Sequence, residues 1–310
     1  MAEGKVPGTI VNQFSMDEYA GNFRIATTSG DMWASGENTS KNNLYILGDA
    51  LQEIGKIEGI APGERIYSVR FMGKRAYMVT FRTVDPLFAI DVSDPTSPKV
   101  LGALKIPGYS DYLHPYDENH LIGFGKDTVE VEQKDSLGNT ISTNAFYLGM
   151  KVALFDVTDV ENPKELHKLI IGDRGTGSEL LYNHKALLFS REKNLLAFPV
   201  ELYEIANKST NAGSSPTTIT GPRMPDYGTF TYQGAYIYQL DPQNGFQLQG
   251  RITHLTDEEL SKSGNWYTSE RFVRRILYIG DTLYTLSDGM IKANARNGLQ
   301  EMGSLHIPAN

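Results

Sequence analysis

The chain has 310 residues, contains no cysteine and carries a formal net charge of −8 at pH 7. The missing thiols exclude disulfides, zinc–thiolate sites and cysteine nucleophiles, and the acidic balance argues against nucleic-acid binding, which needs a basic surface. Hydrophobic residues make up 40% of the chain, enough for a sizeable core, yet no apolar run approaches the ~20 residues that cross a bilayer.

The first predicted group of strands lies within residues 11–60. It contains the run NNLYIL and ends with LQEIGKIEGI, residues 51–60. The apolar residues of both runs are isoleucine, leucine and tyrosine, in short segments bounded by turn formers. This pattern indicates β-strands rather than helices.

The next part of the chain repeats one phrase, as FAIDVSDPTSPKVLGALKI at 88–106 and ALFDVTDVENPKELHKLI at 153–170. The end of the phrase recurs in FQLQGRIT at 246–253 and LQEMGSLHI at 299–307. Asp, Asn, Pro and Gly in the connectors SDPTSPK, TDVENPK, DPQNG and NARNG predict tight turns. Alignment of the five copies superposes Gly55, Gly102, His167, Gly250 and Gly303.

A further pair of strands precedes each copy, so each repeat holds four strands in meander order. Five such repeats predict an all-β fold, a β-propeller with five four-stranded antiparallel blades. We expect a single domain over 6–310, closed as a five-bladed ring, although the blades could belong to a larger ring. Two polar insertions, 126–148 and 203–230, are predicted surface loops, and Thr256 with Glu259 predicts the cap of a short helix. The predicted blades are approximately 11–60, 65–108, 110–173, 179–254 and 271–307.

Three long stretches carry a resemblance to a known family. They are NQFSMDEYAGNFRIATT, the segment YSVRFMGKRAYMVTFRTVDPLFAIDVSDPTSPKVLGALKIPGYSDYLHPYDENHLIGFGKD, and ILYIGDTLYTLSDGMIKAN. The chain resembles secreted bacterial and archaeal proteins with a C-terminal β-propeller domain distantly related to WD40 repeats. The resemblance implies a propeller fold, an export signal and further propeller sequence before this part. Because the start, MAEGKVPG, has no apolar signal segment, we expect a secreted or cell-surface protein whose signal is absent from this sequence.

The innermost strand of each blade lines the channel of a propeller. We predict these strands at about 12–19, 65–71, 111–116, 179–185 and 272–277. They are unusually polar for core strands, and the mixture of acidic, basic and imidazole side chains makes them the candidate ligand-binding positions. These candidates are Asp17, Glu18, Arg70, Asp111, His114, Glu179, His184 and Arg274.

Three functions fit these residues. The favoured one is a non-catalytic extracellular binding or scaffold propeller for a protein or glycan at one face, in which the channel charges pair with one another. The alternative is a glycan-active hydrolase that uses channel carboxylates as general acid and base or nucleophile. A metal site fits less well, either at DVSD or DVTD, where the second Asp is typical of a turn, or at His114 and His184, since such histidines are more often hydrogen-bond partners between blades. We predict no cofactor, no nucleic-acid partner, no membrane span and a monomer.

Overall fold

A computed structural model describes residues 2–82, 85–135, 137–206, 224–261 and 267–308. Their strands form five four-stranded antiparallel sheets, and in each sheet the strand order follows the chain. The predicted meander repeats and the all-β, five-blade propeller class are therefore confirmed. The tip of the second predicted insertion, 207–223, lies outside the described residues.

The chain divides into two compact units. Unit 1 comprises Met1–Gly125 and Ala153–Leu166, and unit 2 comprises Lys126–Val152 and His167–Asn310. The first two sheets belong to unit 1, the last two belong to unit 2, and the unit boundaries fall within strands of the third sheet.

The strands of the first two sheets are β1 Met16–Tyr19, β2 Asn22–Ser29, β3 Lys41–Leu47, β4 Glu53–Ile60, β5 Arg65–Met72, β6 Arg75–Phe81, β7 Asp85–Asp91 and β8 Lys99–Ile106. The third sheet holds β9 Tyr109–Pro115, β10 His120–Lys134, β11 Thr140–Asp156 and β12 Lys164–Ile171. The last two hold β13 Leu188–Ser190, β14 Leu195–Glu204, β15 Thr229–Asp241, β16 Gly245–Ile252, β17 Arg275–Ile279, β18 Thr282–Leu286, β19 Met290–Ala295 and β20 Glu301–His306.

The core of each unit lies between the faces of successive sheets. In unit 1, Leu44 and Ile46 of β3 pack with Met78 of β6 and Ile90 of β7, and all four side chains are buried. In unit 2, buried residues of the fourth and fifth sheets pack in the same way, among them Ala197, Ile237 and Leu283. Burial of such apolar faces stabilises each sheet against its neighbour by roughly 25 cal/mol per Å².

The repeated glycine allows a close approach between successive repeats in unit 1. A Cβ atom on Gly55 would overlap the carbonyl oxygen of Pro95, and a Cβ atom on Gly102 would lie 2.5 Å from that of Glu161. Pro95 belongs to the SDPTSPK turn and Glu161 to the TDVENPK turn, each in the following repeat. Glycine recurs here because any side chain would push the next turn away.

In unit 2 the surroundings of the aligned position differ from one repeat to the next. The Nε2–H of His167 donates a hydrogen bond of 2.9 Å to the carbonyl oxygen of Pro242, in the DPQNG turn of the next repeat. A Cβ atom on Gly250 would lie 2.6 Å from Cδ1 of Leu299, whereas one on Gly303 would meet no heavy atom within 4 Å. The aligned position thus contacts the next turn in four repeats, and in the fifth it faces open space.

Two local predictions have different outcomes. The predicted strand at 179–185 is wrong, because this segment forms two 3-10 turns, Glu179–Leu181 and His184–Ala186, and the first strand of the fourth sheet is β13. The side chains of Ser178 and Asn183 accept hydrogen bonds from backbone N–H groups two residues on and so favour turns. The predicted helix cap is confirmed: helix α1, Asp257–Ser261, begins with reciprocal Thr256–Glu259 hydrogen bonds.

Within the described ranges, no helix has the length and apolar character needed to cross a membrane.

Candidate functional site

Asp17 of β1 is held by a buried arginine. It lies opposite Arg24 of β2 in the strand register, and its two carboxylate oxygens accept hydrogen bonds of 2.7 and 2.5 Å from Nε and Nη2 of Arg24. The Arg24 side chain is only 2% exposed and also donates to the carbonyl oxygen of Gly73. Glu18, the next candidate, is exposed and accepts the N–H of Gly21 in the β1–β2 turn.

Arg70 and His114 both contact the side chain of Tyr112. The guanidinium of Arg70 lies 3.9 Å from the ring centre of Phe14 and 5.4 Å from that of Tyr112, and its Nε donates to the carbonyl oxygen of Leu113. Burial lowers the pKa of Arg70. Nδ1 of His114 lies 3.0 Å from the Tyr112 hydroxyl. These contacts give both candidates a role in packing β5 against β9.

Asp111 lines a cavity of about 590 Å³ in unit 1, which we call the Trp33 cleft. Such a volume lies in the usual range of small-molecule sites, about 300–1,000 Å³. The wall combines aromatic, acidic, basic and hydroxyl side chains. They include Asp31, Trp33, Ser40, Arg65, Tyr67 and Asp111.

The loop between β2 and β3 carries Trp33 and is closed at its neck. The backbone of Asp31 pairs with Asn38 and Ser40 through hydrogen bonds of 2.9 and 3.0 Å, and the Asp31 carboxylate accepts the N–H of Trp33 at 2.8 Å. Gly30 precedes the neck at φ +80°, where a Cβ atom would lie 2.7 Å from the Asn38 carbonyl oxygen. The loop therefore has a hydrogen-bonded neck, and the Trp33 side chain that it carries is 82% exposed.

In unit 2, the structure brings Glu179 and Arg274 together. Glu179 lies 2.5 Å from Nη1 of Arg275 and 3.6 Å from Nη1 of Arg274, and it also accepts a hydrogen bond from the Asn183 amide. Nε of Arg274 lies 3.0 Å from the carboxylate of Asp288. Glu179 is thus neutralised by two guanidinium groups, as a structural ion-pair network requires.

Glu201 of β14 stands beside this network and was missed by the sequence analysis. Burial raises the pKa of its carboxyl, Arg274 opposes this shift, and the charge of Glu179 adds to it. Glu179, Glu201 and Arg274 line a cavity of only about 10 Å³, close to the minimum that holds one water molecule. No sugar or other organic substrate fits this space.

His184 and His254 differ in their surroundings. His184 lies in the second 3-10 turn, four residues before β13. His254 is buried, with its ring nitrogens 2.9 Å from the Ser287 hydroxyl and 2.8 Å from the Thr285 hydroxyl. Burial, with a smaller effect of the positive charge of Lys292, lowers the pKa of His254 to about 4, so this ring is neutral at pH 7.

The aspartates of DVSD and DVTD act as turn residues. Asp91 and Asp156 each accept the backbone N–H two residues on at 2.8 Å, while Asp94 accepts the N–H and hydroxyl of Thr96. The Thr96 hydrogen bonds lower the pKa of Asp94. In the part of the chain that the structure describes, no three His, Asp or Glu side chains gather as a metal site would require.

The residues that sequence reasoning missed come from separate segments. Asp31, Trp33 and Ser40 lie in or beside the β2–β3 loop, while Arg65 and Tyr67 lie on β5. One signal was present: the chain has only two tryptophans, and Trp33 stands in the turn-rich segment SGDMWASGEN, where an apolar ring has no strand or helix to bury it.

Comparison with known proteins agrees with this architecture. A family described as "Beta propeller domain" matches residues 1–299. Protein MJ1554 of Methanocaldococcus jannaschii, itself uncharacterized, is 48% identical over 165 residues, which are 53% of this chain and 23% of that protein. An uncharacterized protein of Archaeoglobus fulgidus is 40% identical over 200 residues, 64% of this chain and 28% of its own.

The chain therefore spans about a quarter of the length of the curated relatives it matches. Among solved structures, it is similar to the C-terminal WD40 domain of Sif2, with 10% identity and a TM-score of 0.40, over 94% of this chain and 68% of that one.

Proposed function

Because this chain belongs to the β-propeller domain family, we propose that it is a non-catalytic extracellular binding module for a protein or glycan ligand, with the Trp33 cleft as its binding site. The observation that carries this proposal is the indole of Trp33, which is 82% exposed on a hydrogen-bonded loop beside a cavity of about 590 Å³. A large apolar ring that stays exposed to water forgoes the favourable free energy of burial, and a ligand that covers the ring would gain it. The resemblance to exported propeller proteins supports the extracellular location.

The environment of the predicted carboxylates supports binding rather than catalysis. Asp17 is paired with Arg24, and Glu179 is paired with Arg274 and Arg275. A catalytic carboxylate must reach the reacting atoms of its substrate, whereas the oxygens of these two side chains are occupied by guanidinium groups. These two side chains therefore suit a structural role within their own units.

One observation favours the hydrolase alternative. Burial raises the pKa of Glu201, and a raised pKa is what a general acid requires. However, the cavity that these carboxylates line has room for about one water molecule. An enzyme at this place would need a substrate path that opens first, so binding at the Trp33 cleft is the simpler function.

The test measures binding and turnover on the same ligands. Purified protein is presented to a panel of polysaccharides and purified cell-surface proteins, and binding is read by surface plasmon resonance while released reducing sugar is assayed in parallel. We expect at least one ligand to bind without turnover and Trp33→Ala to weaken it about tenfold or more. Tyr182→Ala is the matched control, because this tyrosine of unit 2 is 79% exposed and lies outside the cleft.

Two results would overturn the proposal. Turnover that disappears in Glu201→Gln would make the protein an enzyme. Binding that Trp33→Ala and Tyr182→Ala reduce equally would remove the cleft as the site.

A further inference from the structure

The wall of the Trp33 cleft includes Ser40, whose buried hydroxyl has no hydrogen-bond partner among the residues that the structure describes. Ser40 is 1% exposed, and its backbone N–H donates to the Asp31 carbonyl oxygen. An unsatisfied buried hydroxyl costs about 1–3 kcal/mol. A ligand hydroxyl or amide group that reaches this oxygen would recover this free energy.

The charged side chains that line the cleft determine which net charge of a ligand is favoured. Asp31 and Asp111 contribute carboxylates and Arg65 a guanidinium group, which stands 5.0 Å from the ring centre of Tyr67. The two carboxylates repel a polyanion, while Arg65, together with Arg82 at 5.9 Å from the Trp33 ring, opposes the attraction of these carboxylates for a cation. A neutral ligand avoids both effects.

The hydrogen-bonding groups select among neutral ligands. Carboxylates only accept hydrogen bonds, guanidinium groups only donate them, and a serine hydroxyl does both. A ligand with many hydroxyl groups satisfies all three kinds, because each hydroxyl both donates and accepts. The exposed indole of Trp33 adds a flat apolar surface that matches the C–H face of a sugar ring.

We propose that the Trp33 cleft binds a neutral carbohydrate chain, with one sugar ring stacked on Trp33 and ligand hydroxyls bound by Ser40, Asp31 and Arg65. This inference rests on the proposed binding function and narrows it to one ligand class. The closed neck of the Asp31–Ser40 loop holds the site in place before the sugar arrives, which reduces the entropy lost on binding.

Trp33 itself can report binding. In a Trp266→Phe background Trp33 is the one remaining indole of the chain, since the sequence has two tryptophans. Neutral oligosaccharides of glucose, mannose and N-acetylglucosamine are titrated to about 10 mM, which detects weak affinities. We expect a saturable change in Trp33 fluorescence with at least one of them, and a dissociation constant that stays the same between about 50 and 500 mM NaCl, because a neutral ligand is not screened.

Variants of the cleft locate the site by calorimetry. Trp33→Ala should weaken binding about tenfold or more and Trp33→Tyr less, while Ser40→Ala should weaken it severalfold without moving the melting temperature downward, because the hydroxyl has no partner to lose among the described residues. Tyr182→Ala should bind as the parent does. Circular dichroism confirms that each variant is folded.

The outcomes separate the two proposals. If a purified protein or an anionic polysaccharide binds in a Trp33-dependent manner while every neutral sugar fails, the carbohydrate inference is wrong and the binding function stands. If neutral sugars bind equally well to Trp33→Ala, the cleft is not their site and the inference also fails. If no ligand of any class depends on Trp33, both proposals fall.

Discussion

Replacement of Asp17 by asparagine should destabilise unit 1, because it leaves the Arg24 guanidinium buried beside a neutral amide. Arg24 is only 2% exposed, and Asp17 is the carboxylate that its Nε and Nη2 both contact. Arg24 also contacts the Gly73 carbonyl oxygen and the rings of Tyr19 and Phe71, at 4.8 and 5.0 Å from their centres. None of these carries the negative charge that a buried cation needs.

The magnitude follows from the burial of the two partners. Breaking a fully buried ion pair costs about 3–5 kcal/mol. Asp17 is 30% exposed, so water can screen part of the charge that asparagine leaves unpaired. We therefore expect the free energy of unfolding to fall by about 2–3 kcal/mol, with a drop in melting temperature of roughly 4–10 °C.

Urea denaturation and thermal melts of Asp17→Asn, Arg24→Met and the double variant measure this effect. The double variant should be less destabilised than the sum of the single ones, because it buries no unpaired charge. Glu18→Gln is the control, since this neighbouring carboxylate is exposed and accepts only a turn N–H. A melting temperature of Asp17→Asn equal to that of Glu18→Gln would refute the reasoning.

Three further predictions concern stability. His254 has a pKa of about 4 in the folded protein against 6.5 in the unfolded chain. Its contribution to the free energy of unfolding is therefore complete above pH 6.5, and about 3 kcal/mol is lost as the pH falls toward 4. Urea denaturation of His254→Gln should accordingly show a flatter dependence of stability on pH than the parent protein. Glu201→Gln should stabilise the protein at pH 7, and the gain should shrink at acidic pH, where the raised pKa leaves this carboxyl protonated. Glu179→Gln should destabilise the protein, because it removes the partner of Arg275. Changes of melting temperature in the same direction for both variants would contradict this prediction. Gly102→Ala should lower the melting temperature by several degrees because the added Cβ meets the next turn, and Gly303→Ala should change it little, so equal melts would count against the close-approach explanation.

Most strands and turns of this protein could be predicted from local patterns, but the surface loop predicted at 126–148 is wrong, because β10 continues to Lys134 and β11 begins at Thr140. In β3 and β7, alternate side chains face opposite sides of the sheet, so a period-two pattern indicates a strand wherever it occurs. The roles of Asp91 and Asp156 were equally local, because an aspartate before a turn binds N–H groups two residues away. The wrong prediction at 179–185 has a local cause too: Ser178 and Asn183 offered turn hydrogen bonds that compete with a strand.

The roles of the candidate residues depended on neighbours that are distant in sequence. Glu179 meets Arg275 across 96 positions, and Arg70 bonds to Leu113 across 43. A list of polar residues on predicted inner strands cannot distinguish a paired carboxylate from a free one. It also missed Glu201, whose pKa is raised by burial, and burial is a property of the packed chain.

The sequence by itself determined the repeat, the four-stranded sheets and the five-blade propeller class, because strand periodicity, turn chemistry and the recurring glycine are properties of short segments. Only the tertiary structure decided which of these polar residues are neutralised and where a ligand could bind. The Trp33 cleft combines a loop after β2 with side chains of β5 and β9, and only the packing of those sheets brings Asp31, Ser40, Arg65 and Asp111 around one cavity.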